Sequence, residues 1–129
     1  MPARILIVED DQIVAADLRL KVQGMGHEVI GIAISGEEAI GLTGQCKPDL
    51  VLMDIQLDTA MEGGEAARMI QERTGASIIF VTAFPSAAVR GESVRMSEEG
   101  IYLGKPFSRV QLEAVVAGAL RRRSQRDTP

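Results

Sequence analysis

Five short apolar runs, separated by segments of helical periodicity, constrain this chain more than any other feature of its sequence. They are Ile5-Leu6-Ile7-Val8, His27 to Ile34, Asp49-Leu50-Val51-Leu52-Met53, Ser77-Ile78-Ile79-Phe80-Val81 and Ile101-Tyr102-Leu103-Gly104. The first, third and fourth do not alternate polar with apolar residues. Continuous aliphatic runs of this length predict strands covered on both faces, as in a parallel sheet. Between the runs, apolar residues recur at helical spacing. Val14, Leu18, Val22 and Met25 form one stripe, and Leu112, Val115, Val116, Ala119 and Leu120 another. Ala39, Leu42, Thr43 and Cys46 form a third, which predicts Cys46 as a small buried hydrophobe.

Local punctuation agrees. Ser35-Gly36-Glu37-Glu38 and Ser108-Arg109-Val110-Gln111 both fit a capping box, with a Ser cap and an acid or amide three residues on. Gly24, Gly75 and Gly100 stand where helices should stop. The segment 86–99, rich in Ser, Gly and charge, is expected as the least regular helix. Strand–helix alternation repeated five times predicts an α/β fold of (βα)5 type, a doubly wound, five-stranded parallel sheet. Ligands of such sheets sit beyond the carboxyl ends of the strands.

At 129 residues the chain fits one domain. The expected unit is residues 1–123, with 124–129 as a polar tail. With 14 Lys and Arg against 18 Asp and Glu, the net charge is −4, which argues against direct binding of nucleic acid or an anionic membrane. Cys46, the single cysteine, cannot close an intrachain disulfide. No leader or spanning segment precedes the first strand, so a cytoplasmic location is expected. His27, in a Gly-Met-Gly-His turn, is expected as a solvated loop histidine. Arg121-Arg122-Arg123 is expected to oppose the negative end of the last helix dipole.

The chemically capable residues cluster at the strand ends. The first strand ends in Glu9-Asp10, the third in Asp54, the fourth in Thr82 and the fifth in Lys105. Carboxylates gathered at one edge repel, and a hard divalent cation relieves that conflict while leaving room for phosphate. Each residue alone has an ordinary explanation. An acid after a strand favours a helix N-terminus, as Asp11 is expected to do; a Thr suits a strand; a Lys-Pro suits a turn. Their occurrence together, each at a different strand end, favours a site.

With these stretches the sequence resembles the receiver domain of bacterial two-component response regulators, from about Arg4 to Arg122. The matching segments are Ile5 to Asp11, Pro48 to Asp54, Val81-Thr82-Ala83 and Lys105-Pro106-Phe107. The resemblance implies the flavodoxin-like receiver fold and Asp54 as phosphoacceptor. It implies Mg²⁺ held by Glu9, Asp10, Asp54 and the backbone carbonyl of Gln56. Thr82 and Lys105 would contact the phosphoryl group. Tyr102 would be the aromatic switch partner of Thr82, and Ala83 the small residue that leaves access to the site. The implied partners are a sensor histidine kinase or phosphotransfer protein and a downstream protein target. A homodimer through the face of the fourth helix, fifth strand and last helix is a further expectation. The domain would catalyse its own phosphorylation and reset but turn over no external substrate. Two departures stand out: the loop after Asp54 is slightly long and lacks a proline, and 84–100 matches poorly.

Two alternatives come from other classes. A haloacid-dehalogenase-like phosphatase also uses an Asp after a strand, a Thr, a Lys and Mg²⁺, but needs an acid where Gln56 stands and an acidic pair late in the chain. A pseudo-receiver that only binds a partner would be expected to have lost some of Glu9, Asp10, Asp54, Thr82 and Lys105.

Overall fold

The computed structural model describes residues 2–54, 60–82, 94–96 and 100–127. Strands β1 (Arg4–Val8), β2 (Glu28–Ala33), β3 (Leu50–Asp54), β4 (Ser77–Thr82), β5 (Val94–Met96) and β6 (Ile101–Gly104) form one sheet in the order β2-β1-β3-β4-β6-β5. The five predicted strands are the parallel ones, and they occupy the first five places in that order. The helices are α1 (Gln12–Gly24), α2 (Gly36–Cys46), α3 (Ala60–Thr74) and α4 (Arg109–Asp127). This is the doubly wound α/β architecture expected from the strand–helix alternation, with one short antiparallel strand added at the edge.

Sheet alternation divides the core into two layers. Ile5, Ile7, Leu50, Leu52, Ile79 and Val81 face one side, with Leu18 and Val22 of α1 and Leu112 and Val116 of α4. Leu6, Val8, Val51, Met53, Ile78 and Phe80 face the other, with Ala39 of α2 and Ala67 and Ile70 of α3. Burial on both faces is why the strands carry no polar alternation.

The helix ends follow from specific bonds. Asp11 caps α1, its carboxylate accepting from the N–H groups of Ile13 and Val14 at 2.9 and 3.2 Å. Ser35 accepts from the Glu38 N–H at 3.1 Å. The second capping box is reciprocal: Ser108 Oγ accepts from Gln111 N–H at 3.0 Å, and Gln111 Oε1 accepts from Ser108 N–H at 2.8 Å. Gly75, with φ of 71°, closes α3 through a bond from its N–H to the Gln71 carbonyl.

Four expectations change. Of the fourth helix expected over 86–99, residues 86–93 and 97–99 lie outside the described residues, and Val94–Met96 is instead a short strand antiparallel to β6, with Val94 opposite Leu103 and Met96 opposite Ile101. Ser and Gly weaken helix formation in this stretch, while β6 offers an edge whose backbone groups need partners. Gly100 therefore leads into a strand. A Cβ there would lie 2.4 Å from the Ile78 carbonyl oxygen, so close backbone packing requires glycine. Cys46 is half-buried, and the buried places on that stripe belong to Ala39 and Thr43. His27 is no free loop residue: its Nδ1 accepts from the Ala3 N–H at 2.9 Å and ties the turn before β2 to the start of β1. In addition, α4 runs on to Asp127, through most of the stretch expected as a tail. Among the described residues, no helix is long and apolar enough to cross a membrane.

Candidate functional site

The parallel strands β1, β3, β4 and β6 deliver their last residues to one edge of the sheet. β3 lies between β1 and β4 in the sheet order, so Asp54 stands between Glu9 and Thr82. The Asp54 side chain is 7% exposed, and its Oδ2 accepts from Lys105 Nζ at 2.5 Å. Lys105 follows β6 directly. Its backbone N–H donates to the Thr82 carbonyl at 2.8 Å, which anchors the lysine at the end of β4. The Lys105–Pro106 peptide is cis.

Glu9 is buried at 6% exposure. Its Oε1 accepts from the Asp11 N–H at 2.9 Å, while among the described residues Oε2 has no hydrogen-bond partner. Burial, reinforced by the neighbouring Asp54 and Asp10 carboxyls and only partly opposed by the Asp11 N–H, pushes the Glu9 carboxyl up to about 8. A buried carboxyl facing a second carboxylate thus keeps its proton or needs a cation. Thr82 is 3% exposed, and its Oγ1 is the second buried side-chain atom without a partner among the described residues. Buried polar atoms are normally bonded, so both orphaned oxygens are unfinished contacts at the same edge.

Asp10 is exposed at the rim. Among the described residues, no three His, Cys, Asp or Glu side chains converge closely enough to hold a metal ion unaided. The expected set of Glu9, Asp10 and Asp54 is therefore not closed as three direct ligands, because Asp54 is engaged by Lys105 and Asp10 turns to solvent. The all-oxygen donor set still suits Mg²⁺, which takes one or two carboxylates and keeps several waters. Gln56 and Ala83, the other two expected contributors, lie outside the described residues.

Tyr102 is half-buried and stacks on Phe80, with ring centroids 4.7 Å apart and planes at 22°. Beside Asp54, a cleft of about 490 Å³ opens between α1 and the turn after β6, lined among others by Val14, Leu18, Lys21, Lys105 and Phe107. Lys21 pairs with Asp17 at 2.8 Å and lies 5.5 Å from the Phe107 ring centroid. Sequence reasoning gave no role to Phe80, which stood only within the fourth apolar run, and quoted Phe107 only as part of a matching segment, not as lining the site. The available signal was their spacing, two residues before Thr82 and two after Lys105.

The family profile of the response regulator receiver domain matches residues 5–117, and the chain belongs to that family. It is 36% identical over 121 residues to the phyllosphere-induced regulator PhyR of Methylorubrum extorquens, covering 93% of this chain and 44% of that protein. It is 37% identical over 108 residues to the transcriptional regulatory protein PdtaR of Mycobacterium tuberculosis, covering 84% of this chain and 52% of that one. Among solved structures it is similar to the anti-anti-sigma factor PhyR of Bartonella quintana, with 33% identity and a TM-score of 0.78 over 97% of this chain and 50% of that chain. The chain thus spans about half the length of these relatives. Its class is that of the response regulators of two-component signalling.

Proposed function

We propose that this receiver is a phosphorylation-controlled switch with Asp54 as the acceptor. The observation that carries this is the Asp54 carboxylate, nearly buried, bonded to Lys105 and flanked by the orphaned oxygens of Glu9 and Thr82. A partner histidine kinase or phosphotransfer protein presents a phosphohistidine over the cleft between α1 and Lys105-Phe107. An Asp54 oxygen attacks phosphorus, the P–N bond breaks, and the imidazole nitrogen keeps the bonding electrons and takes a proton from water. Such transfer depends on positioning and charge compensation more than on covalent chemistry by other groups. Lys105 moves from the carboxylate to a phosphoryl oxygen. Thr82 gives its hydroxyl to another.

Glu9, Asp10 and the free oxygen of Asp54, with the Gln56 carbonyl, are the residues that would hold Mg²⁺. The ion, when bound, supplies the positive charge that lets carboxylates and phosphate share one edge. The resulting acyl phosphate is hydrolysed in place, so the domain resets itself and consumes no separate metabolite. Ala83 keeps the approach open.

Output follows from Thr82. Once drawn to the phosphoryl group, it favours an inward place for Tyr102 and shifts a two-state equilibrium at the face that includes β6 and α4. That face would contact a protein target or a second copy. The net charge of −4 disfavours nucleic acid and anionic membrane as direct partners, and the site of action is the cytoplasm. The unit is residues 1–123, with 124–127 prolonging the last helix.

Intact mass after incubation with an acyl phosphate and Mg²⁺ tests this. One phosphate is expected, released by hydroxylamine, absent without Mg²⁺ and absent in Asp54→Asn. Full labelling of Asp54→Asn would move the acceptor elsewhere. Turnover of generic phosphate esters would favour a phosphatase, and no label at all a binding-only domain.

A further inference from the structure

We propose that Phe80 is a positioning residue for the switch, the seat that holds the Tyr102 ring in its resting place; this rests on the switch described above. In the parallel register of β4 and β6, Phe80 is the partner of Tyr102 and Thr82 the partner of Gly104. Register partners on parallel strands project to the same face, and residues two apart on one strand share it. Phe80, Thr82 and Tyr102 therefore stand on one face, while Val81 faces the layer beneath α1 and α4.

Phe80 is fully buried and fixed by the layer that includes Val51, Met53 and Ile78. Its ring cannot move without repacking that layer, whereas Tyr102 is only half-buried. The 4.7 Å separation and 22° tilt lie in the range of favourable aromatic contact. So Tyr102 rests on a fixed flat surface. The position beside Thr82 on β6 is Gly104, so β6 puts no side chain between the ring and the orphaned Thr82 hydroxyl.

Two forces therefore act on one ring. Phe80 favours the resting place, and movement of Thr82 toward a phosphoryl group favours the other. Removing the flat surface at Phe80 while keeping apolar volume should shift the unphosphorylated protein toward the switched state. A ligand-free equilibrium moved this way responds less when the phosphoryl group arrives.

The switch extends to α4, whose Leu112, Val115 and Val116 pack on the side of the sheet away from Phe80. Their backbone amide NMR signals report the switch without sensing the loss of the Phe80 ring itself. The test compares these signals in the full chain, free and with Mg²⁺ and beryllofluoride, for wild type, Phe80→Leu and Phe80→Met. The free variants are expected to lie on the line joining the wild-type free and beryllofluoride positions, displaced by about half its length, with a correspondingly smaller further shift on adding beryllofluoride. Ile70→Val, a buried change in the same layer as Phe80, should lower stability and leave the α4 signals at the wild-type free position. Phe80→Met covers the case in which Phe80→Leu fails to fold. If folded variants leave the α4 signals at the wild-type free position, or move them off the line, Phe80 is only packing and the proposal fails. Asp54 labelling in the same samples separates the two levels. Label present with unmoved α4 signals overturns the role of Phe80 alone, while no label and no beryllofluoride response in wild type overturns the switch as well.

Discussion

Lys105 reaches across the end of β4 to Asp54, with Nζ 2.5 Å from Oδ2 and Thr82 at the tip of the strand between them. The lysine side chain is 39% exposed, so the ion pair adds little to folding. Its value lies in the reaction, where it meets charge that develops on the phosphoryl oxygens. Lys105→Ala is expected to slow labelling of Asp54 by about 100-fold, the usual cost of losing one such donor. Its melting temperature should stay close to wild type. Time-resolved intact mass and a thermal melt together check both halves.

Glu9 makes stability depend on pH and on metal. Its carboxyl sits at about 8 in the folded protein against an ordinary 4.5, so the folded state binds the extra proton. The stabilising contribution is therefore complete below about 4.5 and is lost as pH rises toward about 8. Each pH unit well inside that window costs about 1.4 kcal/mol for a full proton difference. Melts in chelator should fall across it. Mg²⁺ should raise the melting temperature and flatten the slope by competing with the proton. Glu9→Gln should flatten the chelator series and remove most of the Mg²⁺ effect. A wild-type slope that rises with pH would show that Glu9 is not held protonated.

Asp54, Thr82 and Lys105 were legible because each ends an apolar run, and a parallel sheet puts such ends together. The two serine caps, Ser35 and Ser108, were legible because their bonds lie within four residues. What depends on distant packing was not. The place of Glu9 at this edge was legible, but not the burial that leaves its Oε2 without a donor among the described residues. His27 looks like turn chemistry until β1 brings the Ala3 N–H against it. Val94–Met96 becomes a strand because β6 offers an edge, which no local propensity announces. Phe80 acquires a neighbour only through the register of β4 with β6.

Gly100 offers a test of packing away from the site. Its φ of 155° and a Cβ contact of 2.4 Å to the Ile78 carbonyl leave an alanine no room without moving backbone. Gly100→Ala should destabilise by about 2–4 kcal/mol, read as a lower denaturant midpoint with an unchanged slope. Below that midpoint Asp54 should still take up phosphate, since none of the site side chains is altered.

Thr82 separates reception from response. Its hydroxyl is buried without a partner among the described residues, so the free protein carries a desolvated polar group. Thr82→Val replaces that hydroxyl with a methyl of nearly the same shape. Removing an unsatisfied buried hydroxyl should stabilise the free protein by about 1 kcal/mol, seen as a higher melting temperature. Asp54 and Lys105 remain, so phosphate should still be accepted, although without the Thr82 contact. The hydroxyl is also the link through which the phosphoryl group draws β4. Without it, beryllofluoride should still shift signals at Asp54 but should leave the single tyrosine, Tyr102, at its free position. A variant that is less stable than wild type would mean the hydroxyl is satisfied in solution. A variant whose Tyr102 still responds fully to beryllofluoride would mean that coupling bypasses Thr82.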